Sequence, residues 1–381
     1  MANNKKPAYA SAHLAPPADQ PCAKDTPRAF LALADGTVLE GHMFGAQRNA
    51  RGEVVFNTSL VGYEEALTDP SYKGQILVLT YPMIGNYGVR PDTFESDRIQ
   101  VEALVVQQAS PAYQHRHACR SLHTFLCDMG VPGIAGIDTR LITRKIREHG
   151  VMNGVLLAGP CADKRVALDE LDGIADIADI DLVPKVSVQK PVRFDCGGPK
   201  TVALVDLGVK NSIIRCLNGR GINVILLPHD SPASMVEEFR PDAVLLTNGP
   251  GNPERATSAI QTVKDLLGRL PLFGICLGHQ ILALAMGAQT YKLKFGHHGS
   301  NHPVKRVSDN RVFITSQNHN YAVRAESLRD GAEVTMVNLN DGSVEGLSNK
   351  AERVQSVQFH PEAAPGPTDL DGLFDQWRAM L

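Results

Sequence analysis

The 381-residue sequence shows no strong excess of either charge: 38 Lys and Arg stand against 41 Asp and Glu, a formal net charge of −3. That balance offers no basic surface of the kind that holds nucleic acid. No stretch approaches the roughly 20 apolar residues of a membrane helix. The first 28 residues, "MANNKKPAYASAHLAPPADQPCAKDTPR", lack the continuous apolar core of a secretory signal. Their Ala, Pro and small polar residues read as a disordered extension, residues 1–28, on a cytoplasmic protein. The seven cysteines are odd in number and show no C-x-x-C spacing. They argue for reduced thiols, against a disulfide framework and against a zinc site. Internal repeats are missing, and so is a G-x-x-x-x-G-K-[ST] phosphate loop.

What is present is the composition of a soluble globular protein, 43% hydrophobic and 21% charged, on a chain long enough for two domains. From residue 29 to 171 turns are frequent and apolar runs short. "RAFLALADGTVLEGHMFG" reads as two strands around the Asp35-Gly36 turn, and "GQILVLTYP" and "QVEALVVQQAS" as further strands. "SLHTFLCDMG" and "TRLITRKIREHG" read as short helices closed by glycine. A smaller α+β domain is expected there. Residues 172–199, ending at Gly197-Gly198-Pro199, read as a linker. From residue 200 to 381 the rhythm changes. "TVALVDLG", "INVILLP", "DAVLLTNGPG" and "LPLFGIC" are apolar strands, each followed by a helical segment. Such alternation implies an α/β domain with a parallel sheet flanked by helices. The strands "RVFITSQNH", "AEVTMVNLN", "GSVEGLSN" and "VQSVQFHP" extend it into a mixed sheet.

The chemistry concentrates in the second half. "FGICLGHQ" places Cys276 between Gly274 and Gly278 where a strand turns into a helix. An arbitrary free cysteine is a small buried hydrophobe. This one has glycines that permit a tight corner, and a helix N-terminus favours a thiolate. The backbone N–H of Leu277 would then face an oxyanion. In "VQFHPEAAP", His360 and Glu362 lie two apart, so in an extended segment both project to one side. A carboxylate there can hold one imidazole nitrogen and leave the other for Cys276, the nucleophile–base–orienter arrangement. A surface His beside a turn is the plain alternative. In "LLTNGPGNP", Gly249 and Gly251 let the backbone approach a ligand, although a simple Gly-Pro turn would look the same.

Together the cysteine corner, the "NGPG" loop and the H-P-E segment resemble the class I (triad) glutamine amidotransferases. "GEVVFNTSLVGYEEALTDPSYKGQILVLTYPMIGNYG", "KFGHHGSNHPV" and "ITSQNHNYAV" look like the small subunit of carbamoyl-phosphate synthase, so the resemblance covers residues 29–381. It implies that Cys276 is the nucleophile, His360 the acid/base and Glu362 its orienting group. It implies that L-glutamine is held by Ser71, Gly249, Gly251, Leu277, Gln280, Asn318, Asn320 and Tyr321. It further implies that ammonia released through a γ-glutamyl thioester passes to a large synthetase subunit. There bicarbonate and two ATP, with Mg, give carbamoyl phosphate for arginine and pyrimidine synthesis. No cofactor is then expected on this chain.

Two positions depart from the family pattern. Asn320 stands where a glycine is usual; Asn is the non-glycine residue best able to adopt positive φ, so a backbone contact to glutamine can survive there. Ser300 likewise replaces a glycine in "GHHGSNHPV". His297, His298 and His302 in that segment raise the question of a metal, but no carboxylate or cysteine accompanies them in the sequence, and none is expected. Two other readings stay open: a free-standing cysteine hydrolase such as a γ-glutamyl hydrolase, which the first domain disfavours, and a non-catalytic scaffold, which the intact Cys, His and Glu set disfavours.

Overall fold

The computed structural model describes residues 27–159, 163–329 and 331–381, so all but the last two residues of the expected extension lie outside it. The first half runs through β1 (Arg28–Leu33), β2 (Val38–Gly45), β3 (Ala50–Asn57), α1 (Tyr63–Thr68), β4 (Gln75–Leu79) and β5 (Met83–Ile84). It continues through β6 (Ala103–Val105), β7 (Gln108–Ala109), α2 (Leu122–Asp128), β8 (Pro132–Ala135), α3 (Thr139–His149) and β9 (Met152–Ala158). The β1–β2 hairpin turns at Asp35-Gly36, where Gly36 has φ 83° and the Asp35 carboxylate accepts from Thr37 N. Seven strands close a barrel in the order β1-β2-β8-β6-β4-β3-β9. An α+β domain was expected, but closure was not.

Side chains alternate across a strand, and the barrel sorts them accordingly. Leu31, Leu33, Val54, Phe56, Ile76, Val78 and Val105 form one cluster with Ile142 and Ile146 of α3. The intervening Val55, Leu77, Leu79 and Leu104 pack instead with α1 and α2.

α4 (Lys164–Asp169) follows the barrel. Within the span read as a linker, 3-10 turns form at Ile177–Asp179 and Val183–Lys185, and β10 (Val192–Phe194) pairs antiparallel with β12 (Ile222–Pro228). These residues therefore build structure rather than merely connect.

The second half contains β11 (Lys200–Asp206), α5 (Asn211–Gly219), α6 (Ala233–Glu238), β13 (Ala243–Leu246), α7 (Thr257–Leu266), β14 (Leu272–Ile275) and α8 (Leu277–Ala285). β15 (Thr290–Arg306), β16 (Val312–Val323), β17 (Ala332–Asn338), β18 (Val344–Asn349), β19 (Val354–Val357) and α9 (Leu373–Arg378) complete it. The ten-stranded sheet has the order β10-β12-β11-β13-β14-β19-β18-β17-β15-β16. β12, β11, β13, β14 and β19 are parallel, and the remainder is antiparallel. Parallel strands are covered on both faces. Val202 and Leu204 face α5 and α9, while Ala203 and Val205 face α6, α7 and α8.

Polar contacts join the two halves. The buried Glu95 carboxylate accepts from Ser212 N and Oγ and from Arg215, capping the start of α5. Thr58 N donates to His298 O, and Ser300, the residue replacing a glycine, reaches Ser59 Oγ at 2.8 Å. No helix among the described residues is long and apolar enough to cross a membrane.

Candidate active site

Cys276 directly follows β14 and is the N-cap of α8, with φ 55° and ψ −105°, a region that costs a non-glycine residue of order 1–3 kcal/mol. Neighbouring glycines make that corner possible. A Cβ on Gly278 would lie 2.1 Å from Leu246 O, and one on Gly274 2.6 Å from Leu282 Cδ1. Cys276 is 2% exposed, and its thiol donates to Asn318 O at 3.6 Å. Leu277, the first residue of α8, has no intrahelical acceptor for its N–H, so that donor is left for a ligand beside the thiol.

His360 follows β19 but not as its continuation. The strand stops at Val357, and His360 forms an isolated antiparallel bridge to Ser316 of β16. Its Nδ1 lies 2.6 Å from Glu362 Oε1, the pairing anticipated from the two-residue spacing. Among the described residues Nε2 makes no hydrogen bond of its own, yet Cys276 is close enough to raise the proton affinity of the ring. Burial opposes charging His360, but the Glu362 carboxylate outweighs it and pushes the pKa up to about 10. Burial also works against the charge on Glu362, and Lys210 and His360 overcome it, holding its pKa down at about 2.

Lys210 was not anticipated. It is 2% exposed, lies at the start of α5, and donates through Nζ to Ala363 O at 2.6 Å while pairing with Glu362 Oε1 at 3.0 Å. A signal existed: "VDLGVK" follows a parallel strand at the sheet edge where α/β proteins bind ligands. Among the described residues Glu362 Oε2 has no hydrogen-bond partner.

Beside the thiol lies a small pocket. Ser71, Gly249, Gly251, Gln280, Asn318, Asn320 and Tyr321 all line it with Cys276. The Leu277 side chain does not, being packed in the core beneath α8. Gly251 has φ 90°, and a Cβ on Gly249 would lie 2.1 Å from Leu207 O, so the "NGPG" backbone comes close to the site. Ser71 Oγ accepts from Asn248 Nδ2 at 2.9 Å. Gln280 Nε2 is consumed by Tyr321 O and Gln358 Oε1, which leaves its Oε1 as a spare acceptor. Glu53, Gln75, Lys292 and His298 also line the pocket, as do Ile177 and Ala178 from the expected linker. None of these was foreseen as part of the site.

Two details differ from what the sequence suggested. Asn320 lies inside β16 and does not use the positive φ that Asn can adopt. Its side chain donates to Glu53 Oε2 at 2.8 Å. And carboxylates do accompany the histidines: His297 Nε2 is 2.9 Å from Asp341 Oδ2, and its Nδ1 is 3.7 Å from Glu345 Oε1. Donor atoms of His297, His319 and Glu345 lie within 4.8 Å of one another, the spacing from which a metal site can be assembled. Those groups already have partners, His319 Nε2 with Gln317 Oε1 and Glu345 with the amides of Gln317 and Asn338.

The same two-part organisation appears in comparisons with known proteins. Residues 31–156 match the carbamoyl-phosphate synthase small chain, CPSase domain, and residues 203–380 match the class I glutamine amidotransferase domain. The carbamoyl phosphate synthase small chain of Methanopyrus kandleri is 51% identical over 357 residues, covering 93% of this chain and 99% of its own. The chain belongs to the carbamoyl-phosphate synthase small-chain family. Small chains of Archaeoglobus fulgidus, 50% identical over 93% of this chain and 99% of theirs, and of Listeria innocua, 46% over 92% and 96%, agree. Among solved structures, a glutamine amidotransferase of Thermotoga maritima aligns over 43% of this chain and 76% of its own. At 22% identity and a TM-score of 0.34, that likeness is too loose to argue from. This small chain thus carries a class I glutamine amidotransferase domain behind the barrel of the small-chain family.

Proposed function

We propose that the chain hydrolyses L-glutamine and delivers ammonia to a large synthetase subunit. The observation that carries this reading is Cys276, held on a strained corner beside the buried His360–Glu362 pair and opening on a pocket ringed by amides. The thiol passes its proton to His360, and Sγ attacks the side-chain carbonyl carbon of glutamine. The Leu277 N–H, with the backbone around Gly249 and Gly251, faces the oxygen as it gains charge. The C–N bond breaks as His360 protonates the leaving nitrogen, giving ammonia and a γ-glutamyl thioester. Water then gives a proton to His360 and attacks the thioester, releasing glutamate and restoring the thiol. Glu362 keeps the imidazole oriented and supports its positive charge, and Lys210 fixes Glu362.

Two small cavities favour transfer of ammonia over its simple loss. One, lined by Asn57, Asp69, Tyr72, Lys210 and His360, shares Asn318 with the glutamine pocket. It shares Asn57 and Ala66 with a third, which is lined by the exposed Leu60 and Val61. The large subunit would receive ammonia there and use bicarbonate and two ATP, with Mg, in the cytoplasm, to make carbamoyl phosphate for arginine and pyrimidine synthesis.

The test is Cys276→Ser in complex with the large subunit. Glutamine-dependent synthesis should fall below detection, while synthesis from added ammonia stays within about twofold of wild type, because the two chemistries use separate sites. Glutamine turnover near wild type would remove Cys276 from the mechanism.

A further inference from the structure

We propose that His298 is a positioning residue for glutamine, locking the side-chain amides of Asn318 and Asn320 so that the pocket presents one fixed pattern of donors and acceptors. The inference rests on the glutamine-site reading above and adds a residue that the chemistry of the thiol does not need.

His298 is 2% exposed and projects from β15 between the two halves of the molecule, against Phe56 and Tyr72 of the barrel. Its Nδ1 lies 2.9 Å from Asn318 Oδ1 and its Nε2 2.8 Å from Asn320 Oδ1. On their far sides the same amides donate to carboxylates from the barrel, Asn318 Nδ2 to Asp69 Oδ2 at 2.9 Å and Asn320 Nδ2 to Glu53 Oε2 at 2.8 Å. The result is a row of contacts, Asp69–Asn318–His298–Asn320–Glu53, with the imidazole at its centre; burial holds the ring's pKa down at about 4, so it is neutral and donates to one of the two amide oxygens.

The row has a direction. A carboxylate only accepts, so each amide must turn its nitrogen to the carboxylate and its oxygen to the ring. Rotating either amide would set oxygen against oxygen on one side. The ring satisfies both oxygens as an imidazolium and one as a neutral imidazole, so at least one amide is always clamped from both ends. Each amide keeps a second N–H and a second oxygen lone pair. Because both side chains line the pocket, those are the groups left for a substrate carrying an ammonium and a carboxylate.

Gly296 makes room for this contact. It has φ 69°, and a Cβ there would lie 2.3 Å from Asn320 Oδ1 and 2.5 Å from His298 Nε2, in the line of their bond. The glycine before the two histidines of "GHHG" is therefore needed at the site, and the segment that looked like a metal motif is accounted for by substrate positioning.

The experiment measures glutaminase KM and kcat in the holoenzyme for His298→Ala, His298→Gln, Gly296→Ala and Asn318→Ala, with glutamine Kd measured on the Cys276→Ser background. His298→Ala should raise KM and Kd about 10-fold, the loss of one or two hydrogen bonds, with kcat within about threefold. His298→Gln, which keeps one N–H donor, should fall between, and Gly296→Ala should move KM in the same direction with the imidazole intact. Unchanged KM and Kd in His298→Ala, or a fall in kcat alone, overturns the proposal. If His298→Ala does not fold, a wild-type KM in His298→Gln overturns it equally. Asn318→Ala separates the two ideas. If it raises KM and His298→Ala does not, only the positioning role fails, whereas an unmoved KM in Asn318→Ala sinks the glutamine-site reading and this proposal together.

Discussion

Cys276, Lys210 and His360 leave the C-terminal ends of parallel strands within one half of the chain, whereas the opposite wall of the pocket is shared between the halves. That wall is built mainly from amides and hydroxyls, Asn318 and Asn320 on β16, Gln280 on α8 and Ser71 from the barrel side, with the mutually neutralised Lys292–Glu53 pair among them. The reacting side is dense in charge, with Lys210, Glu362 and His360 all 7% exposed or less and each paired with another. Buried charge survives only in such company, because an unpaired ion loses its hydration with nothing in return. The binding wall needs no net charge, only amides that cannot turn round. On the proposed mechanism, groups that gain and lose protons are thus kept on one sheet edge, while groups that would hold the substrate are fixed by contacts across the seam.

Mutations on the two sides should therefore separate kcat from KM. The largest effect is expected at His360. His360→Asn should lower kcat by about 10²- to 10⁴-fold with little change in KM, since a positioned acid/base is lost while the amide wall stays intact. Steady-state glutaminase kinetics decide the point, and an equal shift in KM would erase the division between the two sides.

Glu362→Gln should be milder, about 10- to 100-fold in kcat, because the amide oxygen can still accept from the ring. Its sharper effect is on pH. The Glu362 charge is the main reason His360 is lifted to about 10, and with the carboxylate gone the contact with Cys276 still raises it while burial and the Lys210 charge lower it. The alkaline limb of kcat, where the imidazolium that protonates the leaving nitrogen is lost, should move to lower pH. A profile identical to wild type would mean that Glu362 does not set the basicity of His360.

The smallest effect lies behind the binding wall. Burial tends to depress His297, but the Asp341 and Glu345 carboxylates push it up to about 9. A raised histidine contributes stability that is complete below its unfolded pKa of about 6.5 and is lost as pH rises through the folded value. Unfolding free energy should thus decline by about 1 kcal/mol between pH 6.5 and 9, below the full linkage value because Asp341 is part-exposed and screened. Asp341→Asn should flatten that slope, with kcat at neutral pH unchanged. Denaturant titrations at several pH values would show it, and a slope of the opposite sign would reassign His297 as neutral.

Legibility in the sequence follows the same division. The parallel strands announced themselves as continuous apolar runs because both faces are covered, and "GICLG" and "HPE" were readable because corner glycines and a two-residue spacing act locally. Closure of the barrel was not readable. It depends on pairings such as β1 with β9, which join residues about 120 positions apart. Lys210 gave only a weak local sign, since a lysine after a strand looks like any surface lysine until Glu362 is folded onto it.

By itself, then, the sequence determined what is local: the alternation of strand and helix, the cysteine corner, and the His360–Glu362 pairing. Only the tertiary structure decided which charges would be buried together, that Asp341 and Glu345 meet His297, and that the Asn320 side chain turns to Glu53. It also decided that the segment of His298 faces amides. The physical reason is that apolar periodicity and turn chemistry are properties of neighbours along the chain. The partner of a buried polar group is instead fixed by whichever distant segment must satisfy its hydrogen bonds once water has been excluded.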